Sequence, residues 1–223
     1  MNKLVAYQGL GGSTAWINGI EKFPAFLDYV FSDCNFSNSI DSWAKNPIDA
    51  LLPHGDYGTG KSELAKRLPV YMEEHFQYAG SFHVLDCADP KFCPQKHIIG
   101  RLNYSGIWGT PYFVLEEADH LSLRNQVSLR HIIEKYSDLL NIVLTTNELN
   151  KIDKGVRDRA TLIKVNFPKL KDWVPYVRTQ LGSNSRKLIS DAKILKVLEK
   201  LGCSSGRDVY RAIRTLKSEL KIS

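Results

Sequence analysis

The chain has 223 residues, enough for one large domain or two small ones and for a fully buried core. Hydrophobic residues make up 43% and charged residues 24%, which excludes a disordered tail or a low-complexity linker. No run approaches the roughly 18 apolar residues of a membrane span. Gln8 and Gly9 stand where a secretion signal needs an apolar core, so a soluble, cytoplasmic chain with no membrane partner is expected.

The net charge of +6 is unevenly spread. Residues 1–150 carry 12 Lys and Arg against 17 Asp and Glu, a balance of −5, whereas residues 151–223 carry 18 against 7, a balance of +11. Such asymmetry points either to an anionic partner, nucleic acid first, or to a solvated basic helical surface. Cys34, Cys87, Cys93 and Cys203 show no CxxC pairing and read as free thiols.

In chain order, Gly9 to Gly12 reads as loop, Glu21 to Phe31 as helix and Asp33 to Asn46 as polar surface. From Ala50 onward, short apolar runs alternate with helical patterns. The strand-like runs are Leu51-Leu52, Phe82 to Leu85, Tyr112 to Leu115, Ile142 to Leu144 and Leu162 to Val165. Helices are expected at Lys61 to Phe76, Leu123 to Tyr136 and near Asp153 to Asp158. This alternation predicts an α/β fold with a parallel sheet covered on both faces. After Phe167-Pro168 the strand signals stop, and Lys169 to Leu181, Ser190 to Leu201 and Ser205 to Leu220 read as amphipathic helices. Leu188, Ala192, Leu195 and Leu198 are spaced for one buried face. Gly182 and Gly202 mark helix ends, while Pro69 and Pro175 are expected to kink their helices or shift the ends.

The strongest chemical signal is Gly55-Asp56-Tyr57-Gly58-Thr59-Gly60-Lys61-Ser62, placed directly after the first strand and opening a helix. It satisfies the G-x-x-x-x-G-K-[ST] pattern in its strand–loop–helix context. Its glycines let the backbone wrap a phosphate chain, and the helix start aims N–H groups at it. Lys61 would reach the β- and γ-phosphates of ATP and the Ser62 hydroxyl would ligate Mg²⁺. Glu63 follows directly and completes the candidate nucleotide-binding run.

The second signal, Tyr112-Phe113-Val114-Leu115-Glu116-Glu117-Ala118-Asp119, is an apolar strand ending in carboxylates. That places negative charge at the carboxyl edge of the sheet, beside the phosphate loop. Glu116 would hold Mg²⁺, directly or through water, and Glu117 would orient and activate the attacking water. Asn147 closes the next strand, where an amide can set water against the γ-phosphate or simply cap a turn.

In this order the motifs resemble the AAA+ ATPases, and within them the clamp-loader family. Leu129 to Ser137, followed by Asn141 to Asn147, is similar to that family's helix between the acidic motif and the sensor-1 strand. The resemblance covers roughly residues 50–216. It implies a nucleotide-binding α/β domain over 1–167, its first 49 residues poorly matched, and a helical lid over 168–223. It also makes Asn147 the sensor-1 residue. Val156-Arg157-Asp158-Arg159-Ala160 falls where clamp loaders carry an arginine finger, so Arg159 would reach a neighbouring subunit's ATP, with Arg157 as its rival. Gly206-Arg207-Asp208-Val209-Tyr210-Arg211 resembles the sensor-2 motif. Tyr210 stands at the usual arginine position, leaving Arg207 and Arg211 as alternatives. Lys91, Lys96 and Arg101 lie in the segment that would face a DNA channel.

The resemblance implies an ATP-hydrolysing subunit acting on DNA in replication, assembled with other AAA+ subunits and with a sliding clamp as a possible protein partner. The alternatives are a compact AAA+ ATPase of transposition, helicase loading or defence, and a nucleotide-gated binding module with little hydrolysis. A small-molecule kinase would share the phosphate loop but has no use for the asparagine-ended strand or the basic helical tail.

Overall fold

A computed structural model describes Trp43 and residues 49–76, 80–102, 110–182 and 188–221. The helix expected at Glu21 to Phe31, the loop at Gly9 to Gly12, most of the polar stretch up to Asn46, and Cys34 lie outside the described residues.

Five strands form one parallel sheet: β1 (Ala50–His54), β2 (Phe82–Asp86), β3 (Tyr112–Glu116), β4 (Asn141–Leu144) and β5 (Ala160–Lys164), in the order β2-β3-β4-β1-β5. Each expected strand is present, its bounds shifted by a residue or two. The helices between them are α1 (Lys61–Phe76), α2 (Leu123–Tyr136) and the single turn α3 (Lys154–Arg157). Parallel pairing needs such crossovers, and they cover both faces.

Strand periodicity divides the core. Leu51, Tyr112, Val114, Val143 and Ile163 point to one face, where they meet Leu64, Ala65 and Leu68 of α1. Leu52, Phe113, Leu115, Ile142 and Leu144 point to the other and meet Leu129, Ile132 and Ile133 of α2. Apolar runs without polar alternation are thus buried on both sides.

The C-terminal part is helical. A 3-10 turn at Leu170–Trp173 leads into α4 (Val174–Leu181), followed by α5 (Asp191–Lys200) and α6 (Gly206–Leu220). The segment expected as one helix from Lys169 is therefore split, and Pro175 sits at the start of α4, where its missing N–H removes no helical bond. Pro69 behaves otherwise, because α1 runs continuously through it. Gly182 and Gly202 end their helices with φ of +84° and +61°.

One expected face is corrected. Ser190 caps α5 by accepting from the Lys193 N–H at 3.3 Å, so Leu188 precedes the helix and is exposed, as is Ala192. The buried residues of α5 are Ile194 and Leu198, one turn apart. They share a core with Val177 and Leu181 of α4, Val209, Ile213 and Leu216 of α6, and the α1 face of the sheet.

Candidate nucleotide-binding site

The carboxyl ends of β1, β3 and β4 and the start of α1 surround a cleft of about 250 Å³. The sheet domain contributes Tyr57, Gly58, Gly60, Lys61, Ser62, Glu63, Glu117, Thr145 and Asn147 to its lining, and the helical part contributes Trp173, Gly206, Arg207 and Tyr210. Open α/β sheets hold their ligands at this edge.

The loop between β1 and α1 requires its glycines. Gly55, Gly58 and Gly60 have φ of +147°, +72° and +100°. A Cβ on Gly55 would stand 2.4 Å from the Val165 carbonyl oxygen, and one on Gly58 would stand 2.6 Å from Ser205 Cβ. Only glycine accepts both the backbone angle and the space. Inside this loop Lys61 is 6% exposed, and its Nζ donates to the carbonyl oxygens of Gly55 at 2.8 Å and Asp56 at 2.6 Å. Burial lowers the Lys61 pKa, opposed by the nearby Asp119 and Asp56 charges. A buried ammonium held by neutral carbonyls, beside a helix start of free N–H groups, fits a polyphosphate.

Glu117 follows β3 in left-handed backbone geometry, φ +56° and ψ +47°, which is uncommon for a side chain other than Asn, Asp or Gly. Two contacts from Thr145, the residue after β4, hold it there. The Glu117 N–H donates to Thr145 Oγ1 at 3.3 Å, and the Ala118 N–H donates to the Thr145 carbonyl at 2.8 Å. Glu117 is half-exposed, with His120 Nε2 3.8 Å from its carboxylate. Strain at a strand end facing a cleft is characteristic of functional sites.

Asp119, the last residue of the acidic motif, has a task that its place in the sequence does not announce. Its Oδ1 accepts from Thr146 Oγ1 at 2.8 Å and from the Asn147 N–H at 3.2 Å, and its side chain is 1% exposed. Asp119 thus fixes the end of β4 and, with it, Asn147. Thr145 was also missed. The available signal was a pair of threonines closing an apolar strand, where a buried hydroxyl needs a partner.

Not every expected residue reaches the cleft. Glu116 does not line it, since its Oε1 pairs with Lys66 of α1 at 2.9 Å. Asp56 and Thr59 shape the loop from behind, with Thr59 Oγ1 donating to the Asp56 carbonyl at 3.0 Å. Arg159 lies away from it, donating to the Gly155 carbonyl at 3.0 Å and to Glu134 Oε2 at 3.2 Å. Arg207 lines the cleft, whereas Arg211 is largely exposed and pairs with Asp208 at 3.1 Å. Tyr210 also lines it, and the Tyr176 hydroxyl donates to the Tyr210 hydroxyl at 2.7 Å. Lys91, Lys96 and Arg101 are exposed on the segment after β2.

For a divalent cation, the Ser62 hydroxyl in the cleft lining is a hard oxygen donor of the kind Mg²⁺ takes, to which phosphate oxygens and water would add. That donor set fits the metal.

No family model matches the chain. In sequence it is similar to replication factor C subunit 3 of Schizosaccharomyces pombe, at 27% identity over 191 residues covering 82% of this chain and 55% of the relative. It is likewise similar to the replication factor C small subunit of Thermoplasma volcanium, at 25% identity over 207 residues covering 89% and 62%. The chain thus spans little more than half of these relatives' own length. Among solved structures, a RuvB variant of Thermotoga maritima superposes with a TM-score of 0.68 at 15% identity, covering 91% of this chain and 67% of that one. A DNA polymerase III gamma subunit-related protein of the same organism gives 0.52 at 17% identity, covering 79% and 57%. The chain therefore has the fold of the P-loop AAA+ proteins and resembles, in sequence, the replication factor C subunits.

Proposed function

We propose that the cleft binds ATP with Mg²⁺ and hydrolyses it, in a clamp-loader-like subunit that acts on DNA in replication. The observation that carries this reading is the convergence of Lys61, Ser62, Glu117 and Asn147 on one cleft that Arg207 and Tyr210 close from the helical part. The loop N–H groups and Lys61 bind the phosphate chain, and Lys61 gives up its carbonyl partners for phosphate oxygens. Ser62 would hold Mg²⁺, which would supply charge neutralisation to the phosphate chain. Glu117 accepts a hydrogen bond from the attacking water and aligns it, and Asn147, fixed through Asp119, holds the water's other side. Arg207 adds positive charge from residues 168–223, which act as a lid.

Arg159 has no role in its own subunit's cleft in this reading. Released from Glu134, it reaches the ATP of a neighbouring AAA+ subunit, with Arg157 the alternative, so assembly completes the site. Lys91, Lys96 and Arg101 supply exposed positive charge for sequence-independent contacts to a DNA backbone. A sliding clamp is the protein partner, and the workplace is the cytoplasm or wherever DNA is replicated. No helix among the described residues is long and apolar enough to cross a membrane.

The test is ATP binding and turnover by the purified protein and by Glu117→Gln, with and without primed DNA. Retained binding with turnover reduced by about 100-fold or more supports the assignment. Unchanged turnover contradicts it.

A further inference from the structure

Helix α6 sorts its residues by charge as well as by hydropathy. Its buried side is Val209, Ala212, Ile213 and Leu216, which join the core. Arg207, Arg211, Arg214 and Lys217 follow one another at intervals of four, three and three residues, and Lys221 stands at the helix end four residues on. At about 100° per residue the first four fall within an arc of about 120°, and neither Asp208 nor Glu219 lies inside it. All five are exposed except Lys217, which is half-buried. Arg207 lines the cleft and belongs to the site already described, whereas the other four do not line it.

Net charge does not separate a binding face from a solvated one, but this arrangement does. Side chains three and four residues apart are neighbours on a helix, so each step along the ridge sets two cations side by side. Among the described residues the ridge has one ion pair, Arg211 with Asp208 at 3.1 Å, and that carboxylate is also engaged in the capping box of Ser205. A face built only for solvation would intersperse acids and avoid this repulsion, which an anion lying along the ridge relieves. The other exposed residues of α6 are Thr215, Ser218 and Glu219, so the face offers no aromatic or apolar anchor for a protein partner or for stacked, unpaired bases. From Arg207 to Lys221 the ridge runs about 21 Å, the length of about six phosphates on one strand of a duplex. We propose that α6 is a second nucleic-acid contact, laid along the backbone of duplex DNA without regard to sequence and separate from Lys91, Lys96 and Arg101.

The experiment measures binding of the full chain to a fluorescein-labelled duplex across a salt series. Arg214→Gln/Lys217→Gln should weaken binding and lower the slope of log affinity against log salt by about 1.8, because each phosphate contact contributes about 0.9. The unbound variant should melt at or above the wild-type temperature, since like-charge contacts are removed. Its affinity for the fluorescent analogue mant-ATP should be unchanged, since neither residue lines the cleft. Arg214→Lys/Lys217→Arg keeps both charges and should keep the slope, which separates charge from damage to the helix. The slope lost in Lys91→Gln/Lys96→Gln/Arg101→Gln should add to that lost in the α6 variant. The proposal is overturned if Arg214→Gln/Lys217→Gln binds the duplex with wild-type affinity and slope. If the variant of Lys91, Lys96 and Arg101 is weakened in that same experiment, the DNA contact proposed for those residues survives without α6. The proposal is equally overturned if the α6 variant loses affinity only for a single strand of the same length, or if the wild-type chain shows no salt-dependent binding to the duplex.

Discussion

Lys61 is held by two backbone carbonyls of its own loop, and any phosphate that enters must replace them. Because the group is buried, its charge acts through a poorly screened path. Lys61→Ala should therefore weaken ATP binding by at least about tenfold in a direct titration, with fold stability little changed. Gly55 is a test of the loop's shape rather than its charge. A methyl group there meets the Val165 carbonyl at 2.4 Å at a φ of +147°, so Gly55→Ala should cost about 2 kcal/mol or more in denaturant unfolding. The phosphate loop was legible because its residues are consecutive and each has a local reason. Asp119 and Thr145 were not, because their partners lie 28 residues away across the sheet, and no periodicity reports such a contact.

Strands and helices were read closely because apolar runs and caps are local signals. α2 has the bounds its periodicity implies, and α6 is capped by Ser205, whose capping box with Asp208 is written in four residues. The face of α5 was misread because the apolar spacing was extended back through Leu188, beyond the Ser190 cap. Leu198 is fully buried there, and Leu198→Ala should destabilise the protein by about 3 kcal/mol. On the edge strand β2, His83 stacks on Phe113 at 5.0 Å and sits 3.1 Å from Ser81 Oγ. Burial, with the nearby Arg101 charge, pushes its pKa down from 6.5 to about 4. The unfolded chain then binds more protons than the folded one between those values, so His83 contributes stability above pH 6.5 that is lost as the pH falls toward 4. Melting temperature should drop between pH 7 and 5, and His83→Gln should flatten that drop. An equal slope in the variant would assign the effect to other groups.

The whole molecule joins the sheet and the helical part at the phosphate loop. The Gly206 N–H donates to the Gly58 carbonyl at 2.9 Å, and one apolar cluster runs from β1 and α1 into α4, α5 and α6. Counted over the two parts that close on the cleft, the balance is −2 for residues 1–167 and +8 for residues 168–223, so the basic excess is concentrated in the helical part. Arg207, which contributes to the basic excess, faces that cleft, so net charge alone overstated the case for a nucleic-acid face. Arg159→Ala should leave ATP affinity of the isolated chain unchanged and lower turnover only in the assembled protein, as mass measurement with ATP bound would reveal. The central claim is that this cleft hydrolyses ATP through Glu117, and steady-state phosphate release with binding measured on the same samples tests it most directly. The account predicts release by the wild-type chain, loss of release with binding weakened by at least about tenfold in Lys61→Ala, and binding without release in Glu117→Gln. Release that persists in both variants would contradict it.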